Sequence, residues 1–137
     1  MESKTRKAYS QAAATYDAEP NSVLFMETET VLAMLDASQG DSVLDAACGT
    51  GKYVLETLKT GADCFGLDFS GEMLAAAAVK CPGACFVKHD LMSTPLPFAA
   101  GTFTKIVLAH ALWHIAAIDE LFLDFARLLR PGGRLVE

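Results

Sequence analysis

The sequence is short of positive charge, of paired cysteines and of anything that would divide it. Its 11 Lys and Arg stand against 17 Asp and Glu, a formal net charge of -6 at pH 7. A sequence-independent grip on nucleic acid needs basic side chains to neutralise phosphates, so this deficit argues against a nucleic-acid partner. The Lys4, Arg6, Lys7 cluster is read as a solvated helix start. No CxxC pair occurs among Cys48, Cys64, Cys81 and Cys85, and each lies in or beside an apolar strand or turn. They are expected to be buried, inert thiols rather than a disulfide framework, or a metal site of Cys81, Cys85 and His89. No metal is expected. The most apolar stretch, Ile106 to Ile118, carries His110 and His114 and is shorter than the roughly 20 residues that span a bilayer. The amino terminus MESKTRKAYSQAAA lacks an apolar h-region, and a cytoplasmic location is expected. No Pro, Gly or Ser-rich linker and no repeat interrupts the chain, so residues 1–137 read as one domain.

What is present is a globular composition, 52% hydrophobic and 20% charged, in a chain long enough to bury roughly 68% of its unfolded surface. Strand-like and helix-like periods alternate. Residues of about 3 to 17 look helical, and Asn21 or Ser22 can cap a second helix running to about Ala37. SVLDAA at 42–47 reads as a strand, followed by a Gly-rich turn and a helix from about 51 to 60 that stops at Gly61. DCFGLD at 63–68 is a second strand, and Ser70 can cap a helix carrying Met73 to Val79 that ends at Cys81-Pro82-Gly83. ACFVKH at 84–89 and FTKIVLA at 103–109 are the third and fourth strands, separated by the loop STPLPFAAGT. Ile118, Leu121, Phe122, Phe125, Leu128 and Leu129 form one helical stripe, with Asp119, Glu120, Arg127 and Arg130 facing water. After Pro131-Gly132-Gly133, RLVE starts a fifth strand. Helices between strands require parallel pairing, so the expected architecture is α/β, a doubly wound, mostly parallel sheet. Ligands then bind at the carboxyl ends of its strands.

Those ends carry the chemistry. Gly49 and Gly51, after the first strand, let a ligand approach backbone amides at a helix start. The dinucleotide fingerprint GxGxxG is not met, because Val54 stands where its third Gly would be, and no GxxxxGK[ST] occurs. A nicotinamide-dependent oxidoreductase is therefore disfavoured. Asp68, 17 residues beyond Gly51, ends the second strand at nearly the spacing from which an acid reaches ribose hydroxyls. Phe69 and Met73 can sandwich an adenine ring, and Asp90 after the third strand can accept its exocyclic amine. Singly each reads as core or turn; at successive strand ends they describe a nucleoside pocket.

VLDAACGTG, GLDFSGEML, HDLMSTPLPF, IVLAHALWHI and LLRPGG, in this order, resemble the motifs of class I S-adenosylmethionine-dependent methyltransferases. The similarity is strongest to the small-molecule group of ubiquinone and menaquinone biosynthesis methyltransferases, and it covers about residues 8 to 137. It implies a Rossmann-like domain with lid helices over about 3–37 and a core over about 41–137, S-adenosylmethionine as cofactor, and a small-molecule acceptor. It places Asp45, Gly49 and Gly51 near the methionine portion, Asp68 on the ribose, and Phe69 and Met73 beside the adenine. Asp90 and the amide of Leu91 would read the adenine edge, Ala109 and His110 would close the pocket near the methionine amine, and Tyr16 in AAATYDAE would be a lid contact.

Three departures from the family pattern stand out. Ala47 occupies the place of the first Gly in the Gly-rich motif, which is tolerable if its φ is negative. Thr104 stands where an acid is common. Members usually continue through two further strands beyond the fifth, so the sheet is expected to be incomplete at its carboxyl-terminal side. Its truncated edge is expected to associate, with a second copy or with a partner chain. A binding module that works only with a partner is the alternative to an independent methyltransferase. Methyl transfer from a sulfonium is largely a matter of positioning; His110 or His114 can serve as a base, but no residue is assigned as catalytic.

Overall fold

Successive residues of the strand Ser42–Asp45 (β1) point into two different apolar layers, as the pleat requires. In the computed structural model, which describes residues 22–109 and 117–137, Val43 joins Cys64, Val107 and Val136 on one face, and Leu44 joins Leu67, Ile106 and Leu108 on the other. A strand apolar on both faces has to be covered on both. β2 (Asp63–Asp68), β3 (Cys85–Lys88), β4 (Phe103–Val107) and β5 (Leu129–Val136) complete a sheet of order β3-β2-β1-β4-β5. Every adjacent pair is parallel, with Leu44 opposite both Phe65 and Ile106. The fold is therefore the α/β parallel sheet that the alternation of periods predicts.

Helices α1 (Ser22–Leu35), α2 (Lys52–Leu58) and α3 (Gly71–Lys80) supply Leu35, Val54 and Leu74 to the Val43 face. Helix α4 (Ile118–Leu128) supplies Leu121, Phe125 and Leu128 to the Leu44 face. Completely burying such side chains contributes roughly 1.5 to 3 kcal/mol each. The strand order steps outward in both directions from the β1–β4 pair, so the connections leave opposite ways there, and the crevice lies over the ends of these two strands. No helix among the described residues is long and apolar enough to cross a membrane.

The element boundaries are tighter than the periodicity suggests, for local reasons. α1 stops at Leu35 rather than Ala37, because Asp36 turns left-handed at φ 48°. α2 starts after Gly51, whose φ of 88° is not helical. Ser70 caps α3 as expected, its hydroxyl accepting from the Met73 amide at 3.2 Å. The fifth strand starts earlier than expected. Leu129 leaves α4 in an extended conformation and pairs with Phe103 at once. The register then shifts, so that Pro131-Gly132-Gly133 loops out within the strand before Arg134 meets Lys105.

Two side chains differ from their sequence reading, and the structure gives a third, Thr104, a role. Cys85 is exposed, whereas Cys48, Cys64 and Cys81 are buried, because Cys85 lies on β3, the outer strand of the sheet order. Arg127 is half-buried rather than free in water, since its guanidinium donates to the carbonyls of Leu96 and Phe98. Thr104 ties the start of β4 to that of β1, because its hydroxyl donates to Asp41 Oδ1 at 2.8 Å and accepts from the Ser42 amide at 3.0 Å. Asp41 also pairs with Lys105 at 3.1 Å, so an acid at this corner of the sheet comes from Asp41. Burial pushes its carboxyl up, but the bonds from Ser38, Thr104 and Lys105 outweigh that and hold it below the ordinary value.

Gly66, in the middle of β2, is where the sheet and the turn after β1 come closest. A Cβ there would lie 2.6 Å from the Phe86 ring and 2.8 Å from Cys48 Sγ. Gly66→Ala is expected to destabilise the fold by about 1 to 3 kcal/mol through overpacking, read as a lower urea midpoint at unchanged slope. A midpoint equal to the wild type would show that Cys48 and Phe86 can move aside freely.

Candidate functional site

Because the strands are parallel, β1, β2, β3 and β4 all end at one edge, and the acids read from the sequence gather there. The chain leaving β1 is stitched to both neighbouring strands. The Ala46 amide donates to Val107 O at 2.9 Å and the Cys48 amide to Leu67 O at 3.0 Å. The Gly49 amide then donates to Asp68 Oδ2 at 2.9 Å, and the Ser70 amide to Asp68 Oδ1 at 2.9 Å. Asp68, 8% exposed, thus links the Gly-rich turn to the end of β2. A carboxylate has about four acceptor sites, so these amides leave capacity for a hydroxyl. Burial raises the Asp68 pKa, against the lowering effect of the Ser70, Gly49 and Phe69 amides.

Asp45 is the more unusual acid. It is 3% exposed, and among the described residues its Oδ1 accepts a long bond of 3.4 Å from the Ala47 amide while its Oδ2 is buried without a hydrogen-bond partner. Burial first and the charge of Asp68 second raise its pKa to about 7, against the Ala47 bond. An unsatisfied buried acceptor is costly, and a cationic or hydrogen-bond-donating ligand group beside it would remove that cost. The same burial, with Asp45 and Asp68, pushes the Cys48 thiol far up, which makes it a packing group rather than a nucleophile.

The two glycines differ. Gly49, at φ 54°, has no atom of the described residues within 4 Å of where its Cβ would be, the room that a ligand cradle needs. Gly51, at φ 88°, is packed: a Cβ there would lie 3.2 Å from that of Ala77 and 3.3 Å from Cys81 Sγ. Its role in the structure is the close approach of α2 to α3. Asp36 is the only non-glycine with positive φ among the described residues, so Ala47 has none of the left-handed strain that its place in the motif raised.

Beyond β2, Phe69 is half-buried, whereas Met73 is 1% exposed and belongs to the core. After β3, Asp90 and Leu91 are half-buried, and Asp90 Oδ1 accepts from the Met92 amide at 2.9 Å. Ala109 follows β4 and packs against the Val43 layer. Tyr16, His110 and His114 lie outside the described residues. Sequence reasoning missed Tyr53, half-buried two residues after Gly51. Burial, followed by the charges of Asp45 and Glu27, raises its hydroxyl pKa against a bond with Thr28 of α1. No signal but its nearness to the Gly-rich turn could have found it. Among the described residues no group of three His, Cys, Asp or Glu could hold a metal ion.

Comparison with known proteins gives this geometry a context. A family profile described as a methyltransferase domain matches residues 44–136. The demethylmenaquinone methyltransferase of Tropheryma whipplei (strain Twist) is 32% identical over 135 residues, covering 96% of this chain and 56% of that protein. The S-adenosylmethionine dependent methyltransferase from Mesorhizobium loti superimposes with a TM-score of 0.72 at 30% identity, over 78% of this chain and 50% of that one. A putative methyltransferase of Haloferax volcanii, solved in complex with the Trm112 methyltransferase activator, gives 0.78 at 25% identity, over 91% and 57%. The chain spans about half the length of the curated relatives it matches.

Proposed function

This chain belongs to the family of methyltransferase domains, and from that premise we propose that it binds S-adenosylmethionine and directs its methyl group to a small-molecule acceptor. One observation supports this above the others: the Asp68 carboxylate holds the Gly49 amide at 2.9 Å, so the acid for a ribose and the turn for the rest of a nucleoside are one unit. The Oδ2 of Asp45, without a partner among the described residues, fits the ammonium of the methionine portion. In this reading Gly49 leaves room for the ligand, Phe69 lies against the adenine, and Asp90 with the Leu91 amide reads its edge. Tyr16, Ala109 and His110 are assigned further cofactor contacts on the resemblance of their motifs alone, whereas Met73, 1% exposed, serves the core rather than the ligand.

The bound cofactor would supply an activated methyl on a sulfonium; the residues named here bind and orient it. The curated relatives are demethylmenaquinone methyltransferases, so a quinone-like ring is the first acceptor to try. Cytoplasmic location and a single cofactor-binding domain with covering helices before residue 38 belong to the same proposal. Calorimetric titration with S-adenosylmethionine and S-adenosylhomocysteine tests it. Binding is expected, and the absence of both heat and thermal shift at millimolar ligand would end the reading.

The Haloferax volcanii complex with an activator supports a second reading, in which the chain binds cofactor but turns over only with a second polypeptide. β5 is the outer strand of the described sheet, and its outer edge is the surface we assign to such a partner or to a second copy. Cofactor binding without methylation until another chain is added would favour this reading. Light scattering of the chain alone separates a second copy from a different partner.

A further inference from the structure

The described part of α4 carries a buried acid in its apolar stripe that the cofactor contacts do not use. Asp124 is 8% exposed. Its Oδ2 accepts from the Leu96 amide at 2.7 Å, and its Oδ1 accepts from Arg127 Nε at 2.6 Å. Arg127 in turn donates through Nη2 to Leu96 O at 3.1 Å and through Nη1 to Phe98 O at 2.8 Å. One side-chain pair thus satisfies three backbone groups of the loop between β3 and β4. A buried ion pair adds little stability over an apolar pair of similar shape; its planar fork does fix direction, because each donor has one favourable position.

The held segment connects with the start of the loop. Leu91, Leu96 and Phe98 pack on the same layer as Leu44 and Phe103. Phe98 lies edge-to-face against both Phe103 at 5.0 Å and Phe65 at 6.2 Å. Between Leu91 and Leu96 the chain is braced by the Ser93 amide on Asp90 O at 2.9 Å and by His89 Nε2 on Ser93 O at 2.6 Å. Leu91 and the 96–98 segment thus rest on one apolar layer, and that shared layer is the route by which a shift at 96–98 would reach Leu91.

We propose that Asp124 and Arg127 are positioning residues for base recognition, holding the β3–β4 loop from behind so that Asp90 and the Leu91 amide meet an adenine edge. The proposal rests on the S-adenosylmethionine reading. Its test measures the affinities of the full chain for S-adenosylhomocysteine and S-inosylhomocysteine, which differ where Asp90 would accept the exocyclic amine. The wild type is expected to prefer the adenosyl ligand. Arg127→Ala is expected to lose about tenfold in adenosyl affinity, the scale of one charge-assisted bond, and most of the preference. Hydrogen exchange over residues 90–98 is expected to speed up. Arg127→Lys keeps the charge without the fork and is expected to recover less than half of the preference on a logarithmic scale; it carries the test if the alanine variant does not fold. A folded variant that keeps the wild-type preference overturns the positioning role, as does a wild type that binds both ligands equally. A wild type that binds neither ligand overturns the cofactor reading itself, and the proposal with it.

Discussion

Asp68→Ala is expected to weaken S-adenosylhomocysteine binding more than any other single alanine change in the chain, by about 2 to 4 kcal/mol, on the order of 30-fold to 1,000-fold. Two effects add. The variant loses the acceptor for ribose hydroxyls, whose charge-assisted bonds are worth about 1.5 to 3 kcal/mol each. It also frees the Gly49 and Ser70 amides that the carboxylate holds at 2.9 Å, loosening the Gly-rich turn that the ligand would enter. Asp68→Asn separates the two, because its carbonyl oxygen keeps one amide while the charge is gone, and an intermediate affinity is expected. Calorimetry on variants shown to be folded by circular dichroism provides the measurement. A change smaller than threefold for Asp68→Ala would show the ribose assignment to be wrong.

Asp45→Asn is expected to stabilise the ligand-free protein above neutral pH and to weaken its hold on a cationic ligand. The wild-type carboxyl has a pKa of about 7 in the folded chain against an ordinary value of 3.8. Between these values the folded state keeps a proton that the unfolded state has released, so this group makes stability fall as pH rises. Its contribution is fully present below about pH 3.8 and lost above about pH 7, a span on the order of 4 kcal/mol. Asparagine cannot ionise and removes that slope. Melts at pH 5 and pH 8 should therefore show the variant gaining on the wild type at the higher pH, and equal differences at the two would refute the assignment. The same carboxyl couples binding to protons. An ammonium beside Oδ2 favours the ionised form, so wild-type binding should release a proton near pH 6.5 and tighten toward pH 8. Titrations in two buffers of different ionisation heat detect the release, and the asparagine variant should show none.

Much of the fold can be read along the chain because its cues are local. Alternating apolar runs mark β1, β2 and β4; Ser70 and the Gly61 stop mark helix ends; and parallel pairing follows from the helices between strands. The departures come from contacts between segments distant in sequence. Periodicity puts Leu129 in a helical stripe, yet it pairs with Phe103 as soon as α4 ends. The same stripe turns Arg127 toward water, yet loop carbonyls at Leu96 and Phe98 draw it in. Asp124 attracts no notice in the sequence, since a single acid in an apolar stripe has no meaning until the loop that it serves is in place.

The candidate site divides the same way. That acids stand after β1, β2 and β3, with glycines between the first two, follows from residue order and strand direction alone, and this is enough to bring Asp45, Asp68 and Asp90 to one edge. What each acid does there is decided by tertiary structure. Asp68 holds backbone amides at 2.9 Å while Asp45 Oδ2 has no partner among the described residues, although both are acids that end apolar strands. Gly49 is open and Gly51 is packed against Ala77, although they are two residues apart in one turn. The physical reason is range: strand and helix periods arise from neighbours a few bonds away, whereas desolvation, the satisfaction of a buried oxygen and the room beside a glycine depend on chain that returns from elsewhere in the sequence.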